Sequence, residues 1–225
     1  MFGKNKILKA ENHGGDFLDV VEIFPTLQGE GPYAGEPAVF VRLAGCNLAC
    51  DFCDTEFDTC QNISLDKIIA EVEKLSKNQN NKIVRKLVVI TGGEPFRQPI
   101  EKFCQELINL NFLIQIETNG TLFRELPKEV KIICSPKVSN GKYYQIRPDL
   151  LARIDAFKFI ISAGKKEYSQ IFEVGQSEFT TPVYVQPMDE YDEIKNRLNI
   201  ELAKSLCEKN GYFLSLQIHK ILKIK

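Results

Sequence analysis

Residues 45 to 55 read GCNLACDFCDT, which puts Cys46, Cys50 and Cys53 inside eight residues with three and then two residues between them. Thiolates spaced so closely bind zinc or iron-sulfur clusters. Structural zinc takes four ligands, commonly from two separated pairs, whereas this is one compact triplet with Cys60 a little further along. Cys60 is the only nearby residue that would complete a four-cysteine zinc site. Without it, three thiols on a cubane leave one iron for an outside ligand.

Outward from the triplet, short apolar runs alternate with helical periods. FLDVVEIF (17–24), AVFVRLA (38–44), KLVVIT (86–91), FLIQIET (112–118), VKIIC (130–134), AFKFII (156–161), VYVQP (183–187) and YFLSLQI (212–218) are rich in branched or aromatic residues and read as strands. After Ser64, placed as an N-cap, Leu65, Ile68, Ile69, Val72 and Leu75 recur at helical spacing. So do Phe103, Leu107 and Leu110, and Ile194, Leu198, Leu202 and Leu206. Strand and helix in alternation imply right-handed crossovers and a parallel sheet, open or curled into a barrel.

Parallel strands covered by helices are apolar on both faces, yet four of these are not. Gln115 and Glu117, Lys158, Tyr184 and Gln186, and Arg42 interrupt their strands at period two. Charges are rarely buried unpaired. These residues therefore either converge on a lumen that holds a polar ligand, as in barrel enzymes, or pair with one another. A zinc scaffold would leave such a lumen without a purpose.

The chain has 225 residues, enough for one well-buried domain spanning 1–225, with 1–15 as an N-terminal extension and 46–53 as a ligand loop. Its 29 basic and 30 acidic residues balance, so no global field favours nucleic acid or anionic lipid. Residues 1–15 lack the apolar core of a secretion signal, and no run approaches the roughly 20 apolar residues that span a bilayer. A cytoplasmic protein with no membrane or nucleic-acid partner is expected. There its seven cysteines are thiols, metal ligands or catalytic groups. Cys104, Cys134 and Cys207 lie in helix or strand patterns and read as core thiols.

The triplet, with Phe52 before its last cysteine, resembles the signature of the radical S-adenosylmethionine (SAM) superfamily, and TGGEP (91–95) resembles that superfamily's glycine-rich motif for the methionine amino group. FPTLQGEGPYAGEPAVFVRLAGCNLACDFCDT (24–55), IETNGT (116–121), SPK (135–137), VQPMD (185–189) and LQIHKILKIK (216–225) are similar to one subfamily, the 7-carboxy-7-deazaguanine synthases. The likeness runs from about residue 20 to the end.

This resemblance implies a partial, parallel (β/α) barrel of about six strands. It implies a lyase that converts 6-carboxy-5,6,7,8-tetrahydropterin to 7-carboxy-7-deazaguanine and ammonia, on the path to queuosine and related 7-deazapurines. One [4Fe-4S] cluster per chain on three cysteines, SAM used without net consumption, and magnesium are its cofactors. The adenosyl radical takes hydrogen from the carbon bearing the carboxylate, the ring contracts, and the hydrogen returns. An electron donor such as flavodoxin and a homodimeric state belong to the same expectation.

By the same resemblance Cys46, Cys50 and Cys53 hold the cluster and Thr55 the magnesium. Leu27, Gln28, Gly29, Arg42, Thr91 and the terminal Lys225 contact substrate. SAM meets Phe52, Asp54, Gly93, Glu117, Ser135, Pro136, Lys137, Gln186, Pro187, Met188 and Asp189. Catalytic candidates are Arg42, Gln28, Glu30 and His219. A guanidinium suits the substrate carboxylate, and its structural alternative is an ion pair with Glu30 or Glu117. Two departures stand out: Ile218 where relatives often have threonine, and a tail ending KIK rather than in proline. The runner-up is a glycyl-radical-enzyme activase, whose protein substrate would need neither LQGEG nor Arg42.

Overall fold

The computed structural model describes residues 5–53, 55, 59–139 and 141–224. They form two compact units. One comprises the described residues through Gln28 with Glu36–Thr118 and Leu122–Ile132; the other comprises Gly29–Gly35, Asn119–Thr121 and the described residues from Ile133 onward.

In the first unit, β1 (Phe17–Leu27) pairs antiparallel with both β2 (Pro37–Leu43) and β3 (Gln61–Ser64). Helix α1 (Leu65–Ser76) leads to β4 (Leu87–Gly92), which lies parallel to β2. Helix α2 (Glu101–Asn109) then leads to β5 (Leu113–Thr118), parallel to β4. The split follows from the connections. A crossover helix returns the chain to the same end of the sheet, whereas the loop from β1 to β2 carries only a single 3-10 turn (Gly31–Tyr33), too short to cross over, and reverses it. The pairings of β1 are the antiparallel part of the parallel arrangement that the sequence predicts.

Val39, Val41 and Leu43 of β2 and Leu87–Ile90 of β4 are buried, as are Ile68 and Val72 of α1 and Phe103 and Leu107 of α2. Each such side chain contributes about 1.5–3 kcal/mol relative to exposure. These periodic residues face inward as their spacing predicts, except Leu110, which caps α2 and is exposed because the helix ends at Asn109. Ser64 does stand at the α1 N-cap, but its side chain makes no capping hydrogen bond.

The second unit contains the end of β6 (Lys131–Cys134), a hairpin of β7 (Val138–Ser139) and β8 (Lys142–Tyr143), α3 (Pro148–Leu151), β9 (Ala156–Ile161), β10 (Val183–Pro187), α4 (Glu193–Asn210), β11 (Phe213–Leu214) and α5 (Ile218–Leu222). β6, β9, β10 and β11 lie parallel in that order. Phe157 and Phe159 stack beneath the sheet, and Tyr184 stacks on Phe213 at 5.0 Å. Tyr184 thus has an aromatic neighbour rather than a luminal polar one.

Two expectations fail here. The run 212–218 gives only the two residues of β11, because Ser215 turns inward and is buried, and Ile218 already starts a helix. In α4, Ile194 and Leu198 are exposed while Asn199 and Ala203 are buried. There a polar residue takes the inner position because the neighbouring loop needs its hydrogen bonds. Among the described residues no helix is long and apolar enough to cross a membrane.

Candidate active site

The cysteine loop begins where β2 ends. Gly45 has φ +77° and lies against the Arg97 guanidinium, whose Nε stands 2.5 Å from where a Cβ would sit. Arg97 is buried, donates to the Ala44 carbonyl (3.1 Å) and pairs with Glu11 (2.5 Å). It pins the loop's entrance. Beyond it, the Leu48 N–H donates to Cys46 Sγ (3.4 Å) and the Cys53 N–H to the Cys50 carbonyl (3.2 Å). Asn5 Nδ2 donates to Cys53 Sγ (3.5 Å) and to the Thr55 carbonyl (3.0 Å).

Burial pushes the Cys46 thiol up to about 11, and Glu94, Cys50 and Cys53 add to it against the Leu48 hydrogen bond. Burial is the larger cause, so a cationic group is what would hold the Cys46 sulfur as a thiolate. That donor set fits a cluster. Among the described residues no three His, Cys, Asp or Glu side chains converge on one metal ion, and Cys60 is exposed. A cubane asks for no such convergence, since each thiolate takes its own iron, whereas the four-cysteine zinc reading requires it.

TGGEP leaves β4 directly against this loop. A Cβ at Gly92 (φ +127°) would lie 2.0 Å from the Leu43 carbonyl oxygen, and one at Gly93 1.8 Å from that of Gly45. The Gly93 N–H donates to the Leu43 carbonyl (3.1 Å) and the Glu94 N–H to that of Gly45 (3.0 Å). Both glycines are therefore required by backbone-to-backbone packing, Gly92 on the end of β2 and Gly93 on the start of the cysteine loop. Glu94 is fully buried and accepts from the Thr118 hydroxyl (2.7 Å) and the Phe96 N–H (3.1 Å).

Glu22, Arg42 and Thr91 are in register across β1, β2 and β4, which puts their side chains on one face. Arg42 Nε donates to Glu22 (2.9 Å), and its guanidinium stands 5.9 Å from the Phe24 ring centroid. Its anion is thus Glu22, not Glu30 or Glu117, because register rather than sequence distance decides the neighbour. Among the described residues the two Nη groups make no hydrogen bond, so the fork remains open to a carboxylate. Gln115 is buried and donates to Glu117 (2.6 Å). In β5 these two polar residues thus pair with one another.

In the second unit the LQGEG glutamate meets the C-terminal segment. Lys158 Nζ pairs with Glu30 Oε2 at 2.6 Å, and Gln217 Nε2 donates to Oε1 at 2.8 Å. The Ile218 N–H donates to the Gly29 carbonyl (3.0 Å), and a Cβ on Gly29 would fall 2.2 Å from His219 Nδ1. Burial pushes the Glu30 carboxyl up, but Lys158, Gln217 and His219 outweigh it and bring it down to about 2. Glu30 is ionised at any physiological pH. Ser215, buried, accepts from the Gly31 N–H (2.9 Å) and donates to Gln186 (3.2 Å).

The remaining expected residues are also held from within this unit. Lys137 folds back on Ser135, donating to its carbonyl (2.9 Å) and hydroxyl (2.6 Å), and Ser135 and Pro136 are buried. After Gln186 and Pro187 close β10, the Met188 N–H donates to the Ile161 carbonyl (2.8 Å). Asp189 accepts from Lys220 (2.8 Å) and Asn196 (2.8 Å); burial pushes its carboxyl up, yet these donors bring it below the ordinary range. Asn199 Nδ2 donates to the Met188 carbonyl (2.9 Å) and to Glu190 (3.0 Å).

In the first unit Leu27 closes β1, and Gln28 is buried with its N–H on the Glu36 carbonyl (2.8 Å). Phe52 and Thr55 are half-buried. Asp54 and Lys225 lie outside the described residues. Sequence reasoning missed Glu22, Glu94, Gln217 and Asn5, and named Lys158 only as a polar interruption. Gln217 had a signal in its place in LQIHK and Glu94 in its place in TGGEP; Glu22 and Asn5 had none.

Residues 41–138 match the radical SAM superfamily. Over all 225 residues the chain is 53% identical to the 7-carboxy-7-deazaguanine synthase of Rickettsia prowazekii, covering 96% of that protein. The chain belongs to the 7-carboxy-7-deazaguanine synthase family. The synthase of Rhodospirillum rubrum is 37% identical, with 100% of both chains covered. The crystal structure of QueE from Escherichia coli superposes with a TM-score of 0.71 at 25% identity, over 90% of this chain and 95% of that one. As a family member the chain is an enzyme of the radical SAM type with the expected α/β fold, mostly parallel in its strands. The family implies a [4Fe-4S] cluster and SAM, and it displaces the activase and zinc readings.

Proposed function

We propose that this chain converts 6-carboxy-5,6,7,8-tetrahydropterin to 7-carboxy-7-deazaguanine and ammonia in 7-deazapurine synthesis, using one [4Fe-4S] cluster on Cys46, Cys50 and Cys53, SAM and magnesium. The observation that carries this reading is the full-length match, at 53% identity, to a 7-carboxy-7-deazaguanine synthase. When bound, cluster and SAM supply one-electron cleavage of a carbon-sulfur bond; the protein supplies position and exclusion of water.

Arg42, with Nε taken by Glu22, presents its two Nη groups to the substrate carboxylate, beside the Thr91 hydroxyl in the same row. The Gln28 amide, with Leu27 and Gly29, pairs with the donor and acceptor edge of the pterin. Glu30, held as a carboxylate by Lys158 and Gln217, accepts hydrogen bonds from pterin N–H groups and delivers no proton. His219, against Gly29, is a group able to move a proton, and Lys225 is a further residue proposed to contact substrate.

Phe52, Asp54, Gly93, Glu117, Ser135–Lys137 and Gln186–Asp189 are the SAM positions. Thr55 offers magnesium one hydroxyl, too few oxygens for a protein-only site, so substrate carboxylate and water complete it. Flavodoxin is the class of electron donor proposed, and a homodimer the assembly.

Anaerobic incubation with the carboxytetrahydropterin, SAM, magnesium and dithionite, followed by mass analysis, tests the reading. Accumulation of 7-carboxy-7-deazaguanine with SAM largely conserved is expected. Steady cleavage of SAM without that product would overturn the substrate assignment.

A further inference from the structure

Residues 5–11 pass along the cysteine triplet and touch it at both ends. Ile7 bridges parallel to Cys46, and the Leu8 N–H donates to the Cys46 carbonyl at 2.8 Å. At the other end Asn5 Nδ2 reaches Cys53 Sγ (3.5 Å) and the Thr55 carbonyl (3.0 Å). The far end of the segment is anchored in the first unit's interior. There the Glu11 N–H donates to the Arg97 carbonyl (2.7 Å), Arg124 donates to the Glu11 carbonyl (2.6 Å), and Arg97 pairs with the Glu11 carboxylate.

We infer that residues 5–11 form a strap that sets the reduction potential and retention of the cluster, with Asn5 as the positioning residue that donates an N–H···S hydrogen bond to the ligand Cys53. This rests on the proposed cluster assignment. Reduction adds negative charge that spreads onto the sulfurs, so a donor on a ligand sulfur stabilises the reduced form more and raises the potential. The second Asn5 hydrogen ties down the Thr55 backbone, so one amide fixes the end of the loop that carries both Cys53 and Thr55. Glu11 and Arg124 supply the rigidity, since a strap tethered at one end alone would fray.

The test compares the parent protein with Asn5→Ala, Asn5→Asp and Leu8→Pro, the last removing the N–H on Cys46. Each is reconstituted anaerobically, and its potential is read by EPR-monitored redox titration without SAM. The time for a chelator to strip its iron is then measured. Asn5→Ala is expected to titrate at a more negative potential than the parent and Asn5→Asp at a more negative one still, since a carboxylate repels the thiolate. Leu8→Pro is expected to lose iron several-fold faster. An Asn5→Ala chain that melts like the parent yet loads less iron also supports the strap. Parent-like potentials and stripping times in all three variants overturn the inference while leaving the function reading intact. A parent chain that takes up no iron overturns both.

Discussion

Arg42→Ala removes the fork and its hydrogen bond to Glu22, and the cysteine loop is held by Arg97 and the glycines rather than by Arg42. Cleavage of SAM should therefore survive while turnover of the carboxypterin falls by at least 100-fold, as expected when a charge-assisted pair is lost. Arg42→Lys keeps the charge without the planar geometry, so it should restore only part of the activity. Steady-state kinetics against separate assay of SAM cleavage distinguishes these outcomes. At Glu30 the corresponding quantity is stability. Its carboxyl lies below its ordinary 4.5, so the stabilisation is complete above that value and disappears as the pH falls toward about 2. The linkage is on the order of 3 kcal/mol. Lys158→Met takes the ammonium away from that buried carboxylate and should cost about 3–5 kcal/mol near neutral pH, with much of the loss recovered by adding Glu30→Gln. Thermal melts between pH 2 and 7 read both. None of this pairing was legible beforehand: Glu30 and Lys158 are 128 residues apart, and no spacing rule joins them.

Among the elements, the end of β4 is the least tolerant. Gly93→Ala drives a Cβ into the Gly45 carbonyl oxygen, with the Cys46 N–H 2.9 Å away, so neither neighbour is a side chain that can swing aside. A lower melting temperature and less iron per chain are expected. Gly211→Ala, at the C-cap of α4 with open space around it and φ +71°, should cost only about 1 kcal/mol and leave iron loading unchanged. On α4, Asn199→Asp removes the donor to Met188 and sets a second carboxylate against Glu190, so SAM binding should weaken while the Asp192 cap keeps the helix. Equilibrium binding of SAM to the reconstituted protein checks this. Strand and helix positions were legible because apolar spacing records which backbone period is buried, and β9 and β10 match their runs residue for residue. β3 and α5 were not, being too short to show a period. The reversal at β1 could have been read from the short connection before β2, which has no room for a crossover α-helix. The inner face of α4 could not, because Asn199 is buried for its hydrogen bonds and not for its hydrophobicity.

Across the whole chain, the cysteine triplet and GGEP were legible because ligand spacing and glycine packing are local requirements written in adjacent residues. The strap and the Glu30 pair were not, since each joins segments that only folding brings together. The family match extends the local reading to the full length. Everything in the proposed chemistry turns on three thiols leaving one iron open to SAM. The most direct measurement is the EPR spectrum of the anaerobically reconstituted, reduced protein before and after SAM is added, with iron counted on the same sample. About four irons per chain and a signal that changes on SAM addition are predicted. A colourless zinc protein, or a cluster whose signal ignores SAM because a fourth side chain fills the open iron, would contradict it.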